Sequence, residues 1–291
     1  MTPVAKPAAK ASGWWPHEIA FAIFLSLTSA RCFFAGNKGV LWGFVFAALA
    51  GLVFLLRSGG ENRIRWRLWP YVLLMLLAYR ACGFAIPCFH PRATYFLADA
   101  DRWLLGHDAA HFLEPWTTPP LTDLFYVLYL FFFVYIGISL WDYGRGDLEK
   151  FRRLIAGLFT VYGLGFLGYT LLPAGGPYLE IPDHFSAPLA GGGITDVCTT
   201  AVRWGSNRVD CFPCLHFAVS FFILGFDYWY CRRRFYCMLL PCGGVWISTI
   251  YLRQHYFVYL IGGLALALFG LWLAKEKSSN GSRIEAGNVA S

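Results

Sequence analysis

The sequence from Asp210 to Gly263, DCFPCLHFAVSFFILGFDYWYCRRRFYCMLLPCGGVWISTIYLRQHYFVYLIGG, places two histidines among long apolar runs. His216 follows Pro213 at the start of one run, and His255 lies between two further runs. A helix needs ~20 apolar residues to cross a bilayer, whereas β-barrel spans alternate polar and apolar residues. The stretch therefore predicts consecutive membrane-spanning helices with both histidines at helix ends.

The rest of the chain repeats this pattern. Of its 291 residues, 57% are hydrophobic and only 14% are charged, a balance typical of multi-span membrane proteins. The sequence therefore predicts an all-α integral membrane protein with about eight transmembrane helices. The predicted spans lie near residues 17–35, 40–56, 68–87, 121–141, 154–172, 214–230, 235–252 and 257–274.

The basic residues indicate the orientation of the chain. If the N-terminus is cytoplasmic, most of the 24 Lys and Arg fall in inner segments, as Arg57, Arg145 and Arg232 do. This positive-inside distribution accounts for the net charge of +7 without a nucleic-acid partner. We therefore expect the lipid bilayer as surroundings, no nucleic acid, and both histidines on the extracytoplasmic face. A bacterial plasma membrane fits this expectation better than an endomembrane.

Composition divides the chain into four segments. Residues 1–16 are rich in Ala, Pro and Lys and are expected to form a disordered cytoplasmic N-terminus. Residues 17–87 hold the N-terminal transmembrane helices, and residues 88–274 form the core that carries both histidines. The polar residues 275–291 are expected to be a disordered cytoplasmic tail.

The outer loop at residues 88–120 has two features. The segment TYFLADADRWLLGHDAAHFLEPW has the rhythm of a helix that lies in the membrane interface. Within it His107, Asp108 and His111 form H-D-x-x-H, which resembles the histidine pair of zinc proteases. Such an enzyme has Glu as its base and a third ligand, and the sequence supplies neither. We therefore interpret these three as interfacial polar residues and predict no metal ion.

Three outer elements are brought to one membrane face by topology. They are GGPY at residues 175–178, FPCLH at 212–216 and YLRQHY at 251–256. Glycines permit a close backbone approach, and the helix start after Pro213 favours a phosphate. Two histidines beside Arg253 suit phosphoryl transfer, in which one imidazole attacks phosphorus and the other protonates the leaving oxygen. The alternative is that these are ordinary interfacial side chains.

FPCLH followed by YLRQHYFVYLIGG resembles the type 2 phosphatidic acid phosphatase superfamily. The resemblance is to its inositolphosphotransferase branch, the fungal inositol phosphorylceramide synthases and their bacterial relatives, which read F-P-S-L-H and Y-L-x-x-H-Y-x-x-D-x-x-x-G after a proline-rich turn. It covers roughly residues 95–270 and implies a six-helix core with metal-independent, cofactor-free transfer through a phosphohistidine. It implies His255 as nucleophile and His216 as general acid. The phosphate-binding residues that it implies are Gly176, Pro177, Tyr178, Cys214 and Arg253.

Two residues depart from the pattern of that branch. Cys214 stands where the branch has Ser, and Tyr259 stands where it has Asp, four residues after His255. A carboxylate at that position would share a helix face with His255, fix its tautomer and stabilise its cation. Tyrosine offers only a neutral hydrogen bond. In serine-protease triads, neutralising the equivalent carboxylate costs about ten-thousandfold in rate.

Three hypotheses therefore stay open. In the first, the protein is a lipid phosphatase or phosphotransferase that moves a phosphoryl group to water, an alcohol or a headgroup, and Asp196 or Asp210 replaces the missing carboxylate. In the second, it binds a phospholipid but turns over slowly or not at all. In the third, Cys211 and Cys214 form the C-x-x-C pair of a membrane thiol oxidoreductase. A disulfide between Cys198 and Cys211 is a further option, because sequence does not fix the pairing.

Overall fold

The computed structural model describes residues 13–57, 64–88, 94–186 and 188–275. These residues form helices and no β-strand, so the all-α prediction is confirmed. The predicted disordered tails lie almost wholly outside the described residues. The helices are α1 (Pro16–Phe34), α2 (Val40–Arg57), α3 (Ile64–Leu68), α4 (Pro70–Ala85), α5 (Thr94–Leu105), α6 (Ala109–Leu113), α7 (Pro119–Arg145), α8 (Leu148–Leu171), α9 (Pro177–Glu180), α10 (Gly193–Gly205), α11 (Leu215–Tyr230), α12 (Arg232–Tyr251) and α13 (Phe257–Ala274).

The long helices coincide with the eight predicted spans. Six helices in the described part of the chain are long and apolar enough to cross a membrane, namely α1, α2, α4, α7, α8 and α13. The two others, α11 and α12, carry the ends at which the histidines lie. α11 has only 16 residues, and α12 begins with three arginines and contains Pro241. α11 packs inside the bundle against α8, α12 and α13, whereas α12 packs against α7 and α11 and exposes Leu240 on its other face.

The centre of the bundle is aromatic and its outside is apolar. Phe159 and Phe166 of α8 and Phe222 of α11 are almost fully buried in one core. Large apolar side chains cover the outer surface, such as Leu41 of α2 and Trp272 of α13. An apolar exterior of this kind is a liability in water and is suited to lipid.

A buried charge cluster holds the bundle at the end opposite the histidines. The Asp227 carboxylate accepts hydrogen bonds from Tyr135 at 2.7 Å, Tyr143 at 2.8 Å and Arg234 at 2.6 and 2.8 Å. Arg234 also pairs with Asp142. A buried carboxylate is tolerated only when it is paired. The cluster therefore fixes α7, α11 and α12 relative to one another, and with them the histidines at the far ends of α11 and α12.

Two tryptophans that the sequence analysis assigned to the N-terminal tail belong to the bundle. The Trp14 ring meets Phe54 edge-on at 5.0 Å. The Arg67 guanidinium lies 4.2 Å over the Trp15 ring and donates to Glu18 at 2.8 Å. The packed part of the chain thus begins before residue 17.

Candidate active site

His255 lies in the turn between α12 and α13. The turn reverses sharply, because Arg253 adopts a left-handed φ of 58°. The N–H groups of Gln254 and His255 then both donate to the Thr249 carbonyl at 3.0 Å. These contacts hold the His255 imidazole, which is 3% exposed, at the end of the bundle that carries the long loops.

A backbone carbonyl, and not a carboxylate, orients the His255 ring. Its Nδ1 atom lies 3.1 Å from the Cys211 carbonyl oxygen. Because a carbonyl oxygen carries no proton, Nδ1 must be the protonated nitrogen, and Nε2 keeps its lone pair. An imidazole that attacks through Nε2 needs this tautomer.

Tyr259 does not take the place of the missing carboxylate. Its hydroxyl donates to the Gly175 carbonyl at 3.1 Å. Its ring meets the His255 ring edge-on, with 6.1 Å between the centroids. Tyr259 therefore joins α13 to the GGPY turn and leaves the orientation of His255 to Cys211.

The two carboxylates proposed as substitutes are engaged elsewhere. Asp210 accepts hydrogen bonds from the hydroxyls of Tyr79 and Ser206. Asp196 is exposed on α10. Among the described residues, the acceptor for His255 Nδ1 is the Cys211 carbonyl, so neither Asp is needed to set the tautomer.

His216 lies in the first turn of α11, facing His255. The centroids of the two rings are 5.6 Å apart. The His216 ring stacks on Tyr129 at 4.3 Å and lies 4.6 Å from Phe132, both on α7. Its Nε2 is buried without a hydrogen-bond partner in the described part of the chain. Buried polar atoms are normally paired, so a ligand that reached this nitrogen would satisfy it.

Cys214 is the N-cap of α11. Its Sγ accepts the Phe217 N–H at 3.5 Å, and its own N–H donates to the Tyr259 carbonyl at 3.0 Å. A Cβ on Gly263 would lie 2.6 Å from the Cys214 carbonyl oxygen, so a glycine is needed where α13 approaches. This contact places the two histidine-bearing turns side by side.

The cysteines do not favour the redox hypothesis. All nine, each within the described residues, are reduced thiols, so neither the C-x-x-C pair nor Cys198 and Cys211 form a disulfide. Burial raises the pKa of the Cys214 thiol to about 12. A redox-active cysteine needs the thiolate near neutral pH, and the surroundings of Cys214 oppose it.

The GGPY turn packs against the His255 turn. The Tyr178 N–H donates to the Arg253 carbonyl at 2.9 Å, and the Gly175 N–H donates to the Thr94 hydroxyl at 3.0 Å. A Cβ on Gly176 would lie 2.0 Å from the Gln254 carbonyl oxygen. The glycines thus allow a close approach to the protein backbone, where the sequence analysis expected a ligand.

Gly176→Ala is expected to destabilise the protein and to displace the His255 turn. The added methyl group overlaps a backbone oxygen that cannot move without the turn, and overpacking of this kind costs about 1–3 kcal/mol or more. Thermal unfolding in detergent measures the loss. Gly137→Ala on α7 is the matched control, because its Cβ meets no atom within 4 Å. Equal unfolding temperatures for the two variants would contradict the expected clash.

The other residues that the sequence analysis predicted to bind phosphate include Arg253, Pro177 and Tyr178. The Arg253 guanidinium lies 3.8 Å over the Phe185 ring and 3.8 Å from the Glu114 carboxylate. Pro177 and Tyr178 belong to the short helix α9. The binding role of these residues stays a prediction, whereas the pairing of His216 with His255 is part of the fold.

An apolar cavity of about 530 Å³ opens beside the two histidines. It lies between α4, α7, α8 and α10 and ends at His216, Gln254 and His255. This size is typical of small-molecule sites. Its walls suit a hydrocarbon chain whose polar end would lie at the imidazoles. They include Met75, Tyr79, Arg80, Phe133, Ile136, Tyr162, Phe166 and Trp204.

Helix α5 is joined to the site by Asp101, which the sequence analysis did not single out. α5 exposes Phe96 and Trp103 on one face. On the other face, the buried Asp101 carboxylate accepts the Val258 N–H at 2.7 Å and the Ala109 N–H at 3.2 Å. Asp101 therefore caps the start of α13, close behind His255. No sequence signal identifies such a contact, because it depends on which helix the loop packs against.

The H-D-x-x-H motif belongs to a loop contact. Asp108 is the N-cap of α6, so His107 precedes the helix and does not share a face with His111. The His111 Nε2 donates to the His184 carbonyl at 3.2 Å, and its ring stacks on Phe185 at 4.7 Å. The motif thus joins α6 to the segment that follows α9.

The environment of His255 predicts the pH dependence of any reaction at its Nε2. Burial lowers the pKa of this imidazole from 6.5 to about 4. Protonation removes the lone pair, so kcat/KM is expected to fall on the acid side with an apparent pKa near 4. The free energy of unfolding falls earlier, as the pH drops from 6.5 towards 4, because the unfolded chain binds the proton first.

A pH–rate profile with two lipid phosphates that differ in phosphate pKa checks this expectation. If the pH at which kcat/KM falls differs between the two substrates, the titrating group is the phosphate. If it is the same for both substrates, the titrating group belongs to the protein. A shared fall near pH 6.5 would contradict a buried neutral His255.

The PAP2 superfamily model matches residues 95–273. The matched range begins in α5 and extends into α13, so it contains both histidines and leaves α1 to α4 outside. No curated protein and no solved structure matches the chain.

Proposed function

The chain belongs to the PAP2 superfamily, and we propose that it transfers the phosphoryl group of a membrane lipid phosphoester through a phosphohistidine at His255. Superfamily membership supports phosphatase-type activity on lipid phosphoesters in general. The observation that carries the finer proposal is the hydrogen bond from His255 Nδ1 to the Cys211 carbonyl. This hydrogen bond fixes the tautomer of His255 and leaves its Nε2 unprotonated. In the branch that the sequence resembles, an aspartate at the position of Tyr259 would have this role.

In the first half-reaction, the Nε2 lone pair of His255 forms a bond to phosphorus as the bond from phosphorus to the lipid oxygen breaks. The leaving oxygen takes a proton from His216. His216 must enter this step protonated, and the phosphate anion offsets the positive charge that burial alone disfavours. The lipid alcohol then leaves, and phosphate stays on His255.

In the second half-reaction, neutral His216 takes a proton from the acceptor, whose oxygen attacks phosphorus as the bond to His255 breaks. Water as acceptor gives a phosphatase, and an alcohol gives a phosphotransferase. The resemblance to inositol phosphorylceramide synthases predicts a headgroup alcohol. Offering inositol and other alcohols alongside water, and measuring the ratio of phosphorylated alcohol to free phosphate, separates the two outcomes.

The apolar cavity supports a lipid over a soluble phosphate ester as substrate. Met75 and Tyr79 of α4 line it together with residues of the matched range. The N-terminal helices, which lie outside that range, would therefore contribute to the chain-binding site. We expect kcat/KM to rise with chain length until the cavity is filled, because each buried CH₂ contributes about 0.8 kcal/mol.

Trapping the intermediate tests the proposal directly. The full chain, purified in detergent, is mixed briefly with a long-chain lipid phosphate labelled in the phosphoryl group and then denatured. A phosphohistidine is expected as protein-bound label that is lost in acid and kept in alkali. Release of labelled phosphate with no such label would overturn a covalent route through His255.

The structure weakens the main argument for the second hypothesis, that of a lipid-binding protein with little or no turnover. Its main argument was that Tyr259 cannot set the tautomer of His255, and the Cys211 carbonyl sets it instead. What a carbonyl lacks is a full negative charge to stabilise the imidazolium. We therefore propose a working enzyme with a low turnover number.

We further propose that the site lies on the extracytoplasmic face. The helix ends opposite the histidines carry Arg57, Arg145, Lys150 and Arg232, which the positive-inside rule assigns to the cytoplasm. In a variant whose accessible native cysteines, Cys88, Cys231 and Cys237, are replaced by serine, a cysteine introduced at His107 is expected to react with a membrane-impermeant maleimide in intact cells. One introduced at Lys150 should react only after the cells are opened, and the reverse pattern would refute this orientation.

A further inference from the structure

We propose that Cys214, His216 and His255 form a binding site for a Zn²⁺-type transition-metal ion. One ligand atom from each residue, the sulfur and two ring nitrogens, lies within 4.8 Å of the others. The described residues contain no second His/Cys/Asp/Glu group of this kind. Two of the three residues are the proposed catalytic histidines, and the third is the cysteine that replaces the serine of the related branch.

The chemistry of the three donors favours zinc over magnesium or calcium. One thiolate and two imidazoles form a soft to borderline set with three protein ligands and one open position, as in catalytic zinc sites. Magnesium and calcium need oxygen ligands. Zinc bonds of about 2.0–2.3 Å require the three atoms to draw together by about 1 Å, which side-chain rotation can supply.

Each of the two imidazoles has a ring nitrogen that a metal ion could bind. A metal-bound histidine usually donates its other ring N–H to a carbonyl or carboxylate, and His255 donates Nδ1–H to the Cys211 carbonyl. The buried Nε2 of His216 lacks a partner among the described residues. Both rings thus have a nitrogen available to a Lewis acid.

Binding requires the release of one proton and no change of oxidation state. Burial alone opposes the Cys214 thiolate, but a bound dication stabilises it, so Cys214 gives up its thiol proton to solvent on binding and each imidazole donates a lone pair. Both imidazoles border the cavity of about 530 Å³. Water or a phosphate oxygen would occupy the fourth position of the metal.

The consequence for phosphoryl transfer rests on the proposed function. A metal held by both imidazoles removes the lone pair that attacks phosphorus and the nitrogen that carries the proton. Zinc is therefore expected to inhibit the phosphoryl transfer, and a chelator should restore it. The replacement of Ser by Cys at position 214 would make the site metal-sensitive.

Cobalt binding tests the site without reference to turnover. The full chain is purified in detergent without a polyhistidine tag and titrated with Co²⁺. Cobalt binds at zinc sites, and a thiolate ligand gives it a charge-transfer absorption band in the near ultraviolet. We expect one equivalent to bind with this band, and Zn²⁺ to displace it. No stoichiometric binding by the parent protein would overturn the proposal.

Cys214→Ser is the decisive variant, and Cys211→Ser is its matched control. Cys214→Ser should lose the charge-transfer band. It should also weaken cobalt binding by more than the roughly 10–100-fold that follows the loss of a residue that only hydrogen-bonds to a metal ligand. Cys211→Ser removes a neighbouring thiol but keeps the backbone carbonyl that orients His255, so the band should persist. A band that survives in Cys214→Ser would refute the assignment.

Zinc inhibition, measured against the metal-free rate of each variant, separates the two proposals. If Cys214→Ser loses cobalt binding but no variant releases phosphate, the metal site stands and the proposed function fails. If phosphate is released and Zn²⁺ inhibits parent and Cys214→Ser equally, the metal site fails and the function stands.

Discussion

Replacing His255 by alanine is expected to lower phosphate release from a lipid phosphate by about 10⁴- to 10⁶-fold, as removal of a nucleophile does in hydrolases with a covalent intermediate. The physical reason is that, in the proposed reaction, the bond to phosphorus forms at the unprotonated ring nitrogen of His255, and burial opposes the thiolate of the neighbouring Cys214. His216 lies on the far side of the gap, with its ring stacked on Tyr129. Initial rates of parent and variant, measured with the same lipid phosphate in the same detergent, give the ratio.

Two further variants make this result interpretable. His255→Asn keeps an N–H donor for the Cys211 carbonyl, so it separates the loss of the nucleophile from a loss of folding. His107→Ala removes a histidine that lies just before α6, and it should release phosphate at a rate close to that of the parent. Equal release by the parent and His255→Ala would end the nucleophile assignment.

The sequence predicted the helices, and it also predicted that the two histidines lie at the same end of the bundle. Both predictions have one physical reason. Each bilayer crossing needs a continuous apolar run, so the spans are visible one by one. Helices that cross in alternate directions then bring every second turn to the same face. This rule puts His216, at the start of α11, and His255, in the turn after α12, at the same end of the bundle, and the packing of α11 against α12 brings their rings together.

The orientation of His255 could not be predicted in the same way. Its acceptor is the carbonyl of Cys211, and every residue has a carbonyl, so no residue type marks this role. The sequence showed only that Tyr259 stands where the branch that it resembles has an aspartate. The same holds for Asp101, whose partner is a backbone N–H of Val258, and for Arg253, whose side chain lies over Phe185 and beside Glu114, on separate outer loops.

Tyr259→Asp is expected to raise the turnover number and to lower the stability. The rate should rise because a carboxylate on the first turn of α13 can stabilise the positive charge that develops on His255. The gain should stay below the ten-thousandfold effect of the carboxylate in serine-protease triads, since part of that effect is the tautomer, which Cys211 already sets. We expect about 10- to 10³-fold.

The same variant loses the packing and the hydrogen bond of the tyrosine. Tyr259 is fully buried and donates to the Gly175 carbonyl, so its removal leaves a cavity and an unpaired acceptor. Removing a large buried aromatic side chain costs about 3–5 kcal/mol, and the unpaired acceptor adds about 1–3 kcal/mol. The unfolding temperature of Tyr259→Asp should fall accordingly, and rates must be compared well below it.

Tyr259→Asn isolates the effect of the charge. Asparagine has nearly the shape of aspartate, leaves the same cavity and loses the same bond to Gly175, but it brings no negative charge to His255. The ratio of turnover between the Asp and Asn variants therefore measures what the charge contributes, free of the structural cost that both share. A ratio near one would mean that the Cys211 carbonyl already provides all that the branch obtains from its aspartate, and that Tyr259 serves only to hold α13 against the GGPY turn.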